Sequence, residues 1–231
     1  MTARDLNRWF DALLENGEYA AIDPSRNGMQ VDNDGGEITR VAFAVDASIE
    51  TITRAAGAGA GLLFVHHGLF WGQGELIAGA HYRRVKALLD ANIALYASHL
   101  PLDANAECGN NIGLVRRLSL GNLRRFGPWR NCLAGYAGQF DVPVIHDDVL
   151  ARLFVAGEKP AHVLPFGPRE IRTVAVVSGG GSSNIADAIA EGVDLFITGE
   201  IKHEAYHAAL EAGVSVIAMG HYQSETVGVR L

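Results

Sequence analysis

The sequence predicts an α/β fold assembled from two halves of similar topology. Two stretches of chain alternate short apolar runs with helical patterns in the order strand–helix–strand–helix–strand, the signature of a parallel sheet. These stretches align with each other as an internal repeat. Four of the apolar runs also end in histidine, aspartate or glutamate, at the carboxyl ends of strands, where open α/β sheets bind their ligands.

Taken in order, residues 3 to 15 carry Leu6, Phe10, Leu13 and Leu14 on one helical stripe. Gly17 and Asp23-Pro24 end that helix, and Asn27-Gly28 marks a turn before Met29-Gln30-Val31. Val41 to Val45 reads as a strand, followed by an Ala-rich helix ending near Gly57 to Gly61. Leu62-Leu63-Phe64-Val65 then runs as a buried strand straight into His66-His67-Gly68. A loop to Gly79, a helix from about Ala80 to Ala91 and a strand over Ile93 to Ala97 lead to His99 and Asp103. Between Asn105 and Arg169 the pattern is weaker: a helix over Ile112 to Leu118, strand-like pieces over Leu133 to Val144, and a short helix over Asp147 to Phe154. The opening pattern then returns, with strands over Val174 to Ser178, Leu195 to Thr198 and Val214 to Met219, and helices over Ser183 to Glu191 and His203 to Ala212.

The shift that carries Val41 onto Val174 also carries Ile52 onto Ile185, Gly59 onto Gly192 and Leu62-Leu63-Phe64 onto Leu195-Phe196-Ile197. His66-His67 then falls on Gly199-Glu200. A slightly shorter shift carries His99 onto His221 and Asp103 onto Glu225, so HxxxD in one half answers HxxxE in the other. Chance similarity between two βαβ units can supply the hydrophobic pattern, but is a poor explanation for matching polar strand ends.

Composition bounds the function. The 231 residues are 48% hydrophobic and 19% charged, enough for a globular core in one or two domains. The net charge is −7, and Arg83-Arg84, Arg116-Arg117 and Arg124-Arg125 are isolated pairs, so no nucleic-acid surface is expected. Cys108 and Cys132 form neither a CxxC pair nor a disulfide framework, which suits a reducing compartment. No apolar run approaches the ~20 residues of a membrane span, and no signal-peptide pattern opens the chain. The expectation is a cytoplasmic protein without a membrane partner.

Imidazole and carboxylate donors without thiolate suit Zn, Fe, Mn, Ni or Co. Adjacent histidines on an extended backbone point to opposite sides, so His66 and His67 are better placed to serve two ions than to chelate one. A carboxylate from Asp103 or Glu225 can bridge such a pair. His99 reads as a residue beside the ligands or against the substrate. His203 and His207 share a helical spacing that more often marks a half-exposed face, and His81, His146 and His162 read as surface residues. Ser178-Gly179-Gly180-Gly181-Ser182-Ser183 lacks the lysine of a P-loop and the spacing of GxGxxG, so it reads as a tight strand-to-helix turn. No GxSxG elbow or activated cysteine is present.

Asn27-Gly28-Met29-Gln30-Val31, Val45-Asp46-Ala47-Ser48, Val65-His66-His67-Gly68, Ser98-His99-Leu100-Pro101-Leu102-Asp103, Gly199-Glu200 with His203, and Gly220-His221-Tyr222-Gln223-Ser224-Glu225 stand in the right order for a known family. Together they resemble the Nif-three-like proteins, also called dinuclear metal centre proteins or type 2 GTP cyclohydrolase homologues. The motifs span residues 27 to 225. The resemblance implies two interlinked α/β domains of similar topology with a dinuclear metal site between them, two divalent metal ions per chain and a toroidal homohexamer. Its domain boundaries would be 1–104 and 105–219, with residues 220–231 returning to the first domain. Carried over by motif, the metal ligands would be His66, His67, Asp103, His221 and Glu225, with His99, Glu200 and His203 nearby as proton carriers or substrate contacts. Family members usually continue past the last motif with a helix and a strand that rejoins the first domain, whereas this sequence ends at Val227-Gly228-Val229-Arg230-Leu231.

Two functions follow as expectations. One is a metal-dependent hydrolase, opening a small-molecule or nucleotide substrate as a type 2 GTP cyclohydrolase would. The alternative is a non-catalytic metal-bearing ring that binds a protein or a metabolite.

Overall fold

The computed structural model describes residues 1–230. They divide into two compact α/β units, Met1–Leu102 with Arg230, and Asp103–Val229.

The first unit opens with α1 (Ala3–Leu14). At its N-terminus the side chains of Thr2 and Asp5 each accept the other's backbone N–H, a capping box. There follow α2 (Asn16–Tyr19), β1 (Gly28–Val31), β2 (Val41–Asp46), α3 (Ile49–Gly57), β3 (Leu62–His67), α4 (Gly79–Asp90) and β4 (Ala94–Ala97). The sheet order is β1-β4-β3-β2, with β2, β3 and β4 parallel and β1 antiparallel to β4. Alternation along β3 divides its side chains between two faces. Leu63 and Val65 pack with Ile52 of α3 and Leu88 of α4. Phe64 instead joins Phe10 of α1 and Tyr96 of β4, with ring centroids 4.9 to 5.3 Å apart. The buried Tyr96 hydroxyl donates to Asp11 Oδ1 at 2.9 Å, so the ring is buried without an unmet polar group. With both faces covered, β3 needs no polar alternation and can be apolar up to its histidines.

The short helix α5 (Leu100–Ala104) carries the boundary between the units. The second unit contains α6 (Asn110–Leu118), β5 (Gly121–Trp129), β6 (Cys132–Ile145), α7 (His146–Leu153), β7 (His162–Leu164), β8 (Glu170–Val177), α8 (Ile185–Ala190), β9 (Leu195–Thr198), α9 (His203–Ala212), β10 (Ser215–Ala218) and α10 (His221–Glu225). Its sheet runs β5-β6-β8-β9-β10-β7, with β8, β9 and β10 parallel and the other pairings antiparallel. One face packs on Leu118 and Val149 through Val174, Val176 and Ile197; the other packs on Ala188 and Ala209 through Ala175, Phe196 and Val216.

The internal repeat is visible in strand register. Val41 pairs with Leu62 in β2/β3, and the corresponding Val174 pairs with Leu195 in β8/β9. In both units the third parallel strand is flanked by a short antiparallel strand and followed by a five-residue helix. His99 and Asp103 lie at one of those helices, His221 and Glu225 at the other.

Two features differ from the sequence expectation. The β5–β6 hairpin was legible only as strand-like pieces, because most of β5 is exposed and has no apolar alternation. The expected helix at Ser183 begins as a 3₁₀ turn over Gly181–Asn184. Residues 220–229 group with the second unit and Arg230 with the first. Val227 is buried in the core of the second unit, and the Gly228 amide donates to Asn110 Oδ1 at 2.7 Å. Leu231, the last residue of the segment expected to return to the first domain, lies outside the described residues.

Candidate metal centre

In the first unit, three histidines gather at the carboxyl end of the parallel strands. The β2/β3 register sets Asp46 beside His67, and Asp46 Oδ1 lies 2.9 Å from His67 Nδ1. The fully buried His66 ring has its Nδ1 3.0 Å from the Ser98 carbonyl oxygen, at the end of the neighbouring strand. His99 Nδ1 lies 2.9 Å from Asp23 Oδ1. These oxygens only accept, so Nδ1 carries the proton in each ring and the lone pair is on Nε2. Partners of this kind fix the tautomer and orientation of metal-binding imidazoles.

The rings of His66 and His67 lie 4.6 Å apart, and both lie within 5.7 Å of His99. One ring nitrogen from each of the three falls within 4.8 Å of the others. The expected splaying of adjacent histidines is thus moderated at the strand end, where the chain leaves the sheet at Gly68. A Cβ at Gly68 would come within 2.6 Å of Ala97 Cβ, so the chain exits where only glycine fits. Trp71 adds an aromatic wall, 4.9 Å from the His99 ring.

Asp23 is more than a partner for His99. Its carboxylate also accepts from the Ser25 and Leu100 amides and from Asn27 Nδ2, at 2.8 to 3.0 Å. Burial alone would raise this carboxyl, but the His99 ring and the other donors outweigh it and hold the pKa below its ordinary value. Asn27 in turn accepts the His99 amide at 2.9 Å.

The second unit holds two further groups. Asp103, nearly buried, accepts at Oδ1 from Asn110 Nδ2 (2.9 Å) and Ser178 Oγ (2.8 Å). Asn111 braces this pair, accepting the Ser178 amide at 2.7 Å and donating to the Asp103 carbonyl at 3.2 Å. In α10, His221 and Glu225 are one turn apart, with His221 Nε2 3.1 Å from Glu225 Oε1. Glu200 Oε1 lies 2.8 Å from His221 Nδ1, the same carboxylate-on-Nδ1 arrangement as Asp46 on His67. Gly179 has φ +60, and a Cβ there would run into the Glu225 carboxylate. The backbone therefore cradles that side chain at a distance no other residue allows.

The hydrogen bond to Glu225 raises the His221 pKa from 6.5 to about 9, against an opposing effect of burial and with Glu200 adding to the rise. Because the folded value lies above the unfolded one, this ion pair stabilises the metal-free chain fully below pH 6.5 and is lost as pH rises through about 9. Thermal unfolding of the metal-free chain should therefore show a Tm that declines across this window, and the decline should shrink in Glu225→Ala, where Glu200 alone is left to raise His221.

The structure thus brings His66, His67 and His99 together in one unit, and His221, Glu225 and Glu200 in the other, where a carboxylate oxygen of Asp103 also lies within 4.8 Å of one of Glu225. His203 opens α9 with its side chain exposed, and among the described residues no hydrogen bond ties it to His221, Glu225 or Glu200. Sequence reasoning gave no role to Asp23, Asp46 or Trp71. The motif position of Asp46 at a strand end was the only signal available.

The donor set fits divalent cations of the Zn, Fe, Mn, Ni or Co type, with nitrogen and carboxylate ligands, fixed imidazole tautomers and a glycine-lined carboxylate. Comparison with known proteins decides the family. The model for Duf34/NIF3 (NGG1p interacting factor 3) matches residues 1–231. The chain belongs to this family. A relative named GTP cyclohydrolase 1 type 2 homolog from Treponema pallidum is 44% identical, covering 100% of this chain and 92% of its own length. One of the same name from Pyrococcus horikoshii is 45% identical, covering 100% and 91%. The crystal structure of TTHA1606 from Thermus thermophilus matches this Duf34/NIF3 member with a TM-score of 0.89 at 39% identity, covering 100% and 90%.

For this Duf34/NIF3 chain, the exposed Asp46 carboxylate offers a mild test of the histidine cluster. Removing a carboxylate that orients a metal-bound imidazole typically costs ~10–100-fold in metal affinity. Asp46→Ala is expected to fall in that range, measured by competition with a chromophoric chelator, with little change in folding because the side chain is half exposed.

Proposed function

We propose that this chain is a metal-dependent hydrolase whose centre holds two divalent ions on His66, His67, Asp103, His221 and Glu225, so that both units supply ligands. The observation that carries this reading is the shared state of four of the nine histidines. His66, His67, His99 and His221 each have Nδ1 against a carbonyl or carboxylate oxygen. Four imidazoles set alike at strand ends are hard to account for as surface or core histidines.

A pair of bound divalent ions would supply a water acidified to near neutral pKa for attack on an electrophilic carbon or phosphorus. Around it, Asp46 and Glu200 hold His67 and His221 in one tautomer, and the Asn110–Ser178 pair fixes one oxygen of Asp103. Asp23 anchors His99 through Nδ1, so His99 Nε2 can take a proton from the nucleophile or return one to the leaving group. Glu200 orients His221, and His203 serves as an outer contact for substrate.

The relatives' names support GTP as the first substrate to try. The test incubates metal-loaded protein with GTP beside Glu225→Ala and follows products by mass spectrometry. A ring-opened or formate-released product that disappears in the variant is expected. No product, in a sample shown to carry its metal, would remove the GTP assignment and favour a non-catalytic binding module.

A second reading has its own support. The nitrogens of His66, His67 and His99 cluster within the first unit alone, which favours a single ion on three histidines. Assembly into a homohexamer is part of the proposal, checked by light scattering of the metal-loaded chain. No helix among the described residues is long and apolar enough to cross a membrane; a cytoplasmic location is part of the proposal, checked by cell fractionation.

A further inference from the structure

The first unit contains a cleft of about 310 Å³ beside the histidine cluster, between the Arg26–Gln30 segment and the loop after β3. Its volume is near the lower end of the ~300–1,000 Å³ range of small-molecule pockets, room for one ring system with a short substituent. Trp71 belongs to both places: it lines the cleft and stands 4.9 Å from His99.

The walls are built rather than loosely apposed. The Arg26 amide donates to the Phe70 carbonyl at 3.0 Å, and the Gly72 amide to the Pro24 carbonyl at 2.7 Å. Gln30 Oε1 accepts from the Leu69 and Phe70 amides at 2.6 and 3.2 Å. The Trp71 indole N–H donates to the Gly68 carbonyl at 3.0 Å, which fixes the ring's orientation.

The lining combines Phe70, Trp71 and Met29 with the guanidinium of Arg26. Arg26 uses Nε on the Gly72 carbonyl at 2.8 Å; a guanidinium has four further N–H donors, in a plane suited to carboxylate or phosphate. Glu75 also lines the cleft, but its carboxylate accepts from the Trp71 amide at 3.2 Å and lies 3.8 Å from His81 Nδ1. The cleft therefore presents both signs, with the Glu75 carboxylate tied toward Trp71 and His81 and the Arg26 guanidinium the cationic group that can take an anion. Half-buried aromatic and thioether groups favour a flat, polarisable ring.

We infer that this cleft binds a planar heteroaromatic acid, its ring against Trp71 and Phe70 and its anionic group on Arg26. This deepens the hydrolase reading and rests on it for the claim that the occupant is substrate, since Trp71 would hold the ring next to His99.

The test is calorimetric titration of the whole chain, metal-loaded and metal-stripped. The ring-acid probes are guanosine 5′-monophosphate, nicotinic acid and pterin-6-carboxylic acid, and ribose 5-phosphate and glutaric acid are the ring-free controls. At least one ring acid should bind saturably in both metal states. Arg26→Ala should weaken it about tenfold or more, through loss of a charge-assisted contact, without changing metal content. Trp71→Leu should weaken it as well, while Trp71→Phe keeps most of the affinity. The inference is overturned if no ring acid binds, if ring-free acids bind equally well, or if Arg26→Ala leaves binding unchanged. Ring-acid binding in both metal states, with no product from GTP in the metal-loaded chain, favours the binding module over the hydrolase and keeps the cleft. Hydrolysis of a substrate with no ring-acid binding removes the cleft alone.

Discussion

Replacing Glu225 by alanine is expected to lower metal affinity by on the order of 10²-fold or more, since even the outer partners of metal ligands cost ~10–100-fold. Its carboxylate is almost wholly buried and hydrogen-bonded to His221. A buried carboxylate needs opposite charge nearby, which a proton on His221 provides in the metal-free chain and a divalent cation would provide in its place. Metal uptake must therefore expel the His221 proton, so apparent affinity should rise with pH up to about 9 in the native chain. In Glu225→Ala the histidine loses the largest cause of its raised pKa, and that pH dependence should shift toward neutrality. Glu225→Gln separates charge from shape: it keeps the volume and should still lose the metal. Affinity unchanged within about twofold in both variants would remove Glu225 from the ligand set.

The second large effect is expected at Gly179. Glycines at 179 and 192 both adopt left-handed backbone, with φ +60 and +65. A side chain in that region costs roughly 1–2 kcal/mol at either position. At Gly192 a Cβ would meet nothing within 4 Å, whereas at Gly179 it would strike the Glu225 carboxylate. Gly192→Ala should thus lower Tm by only a few degrees, at about 2–4 °C per kcal/mol for a chain of this size, and keep its metal. Gly179→Ala should cost more and also lose metal, because the carboxylate must leave its place. Equal behaviour of the two variants would mean that the cradle does not position Glu225.

Much of this arrangement could be read from residues alone. The shift carrying Val41 onto Val174 proved to be a shared strand register, because buried parallel strands leave long apolar runs whose spacing survives in sequence. His66-His67 and Glu200 were recognisable as strand ends, and His99/Asp103 and His221/Glu225 as one spaced motif in two copies. The partners that orient the histidines were far less legible. Asp46 meets His67 through strand register, and Asp23 meets His99 across many intervening residues, so neither leaves a local pattern. Strand β5 was obscured for another reason: its mostly exposed side chains carry no apolar period. The bonds that hold residues 220–229 in the second unit, from Gly228 to Asn110 and from the Gly179 amide to Ser224 Oγ, join positions that no periodicity connects.

Anomalous diffraction from crystals of the metal-loaded chain, recorded at the absorption edge of the bound metal, would locate the ions and their ligands. Two peaks ~3.5–4 Å apart, the spacing of two-metal hydrolytic sites, are expected, liganded by His66, His67, Asp103, His221 and Glu225. A single peak on His66, His67 and His99, with no density at Glu225, would contradict the two-ion proposal.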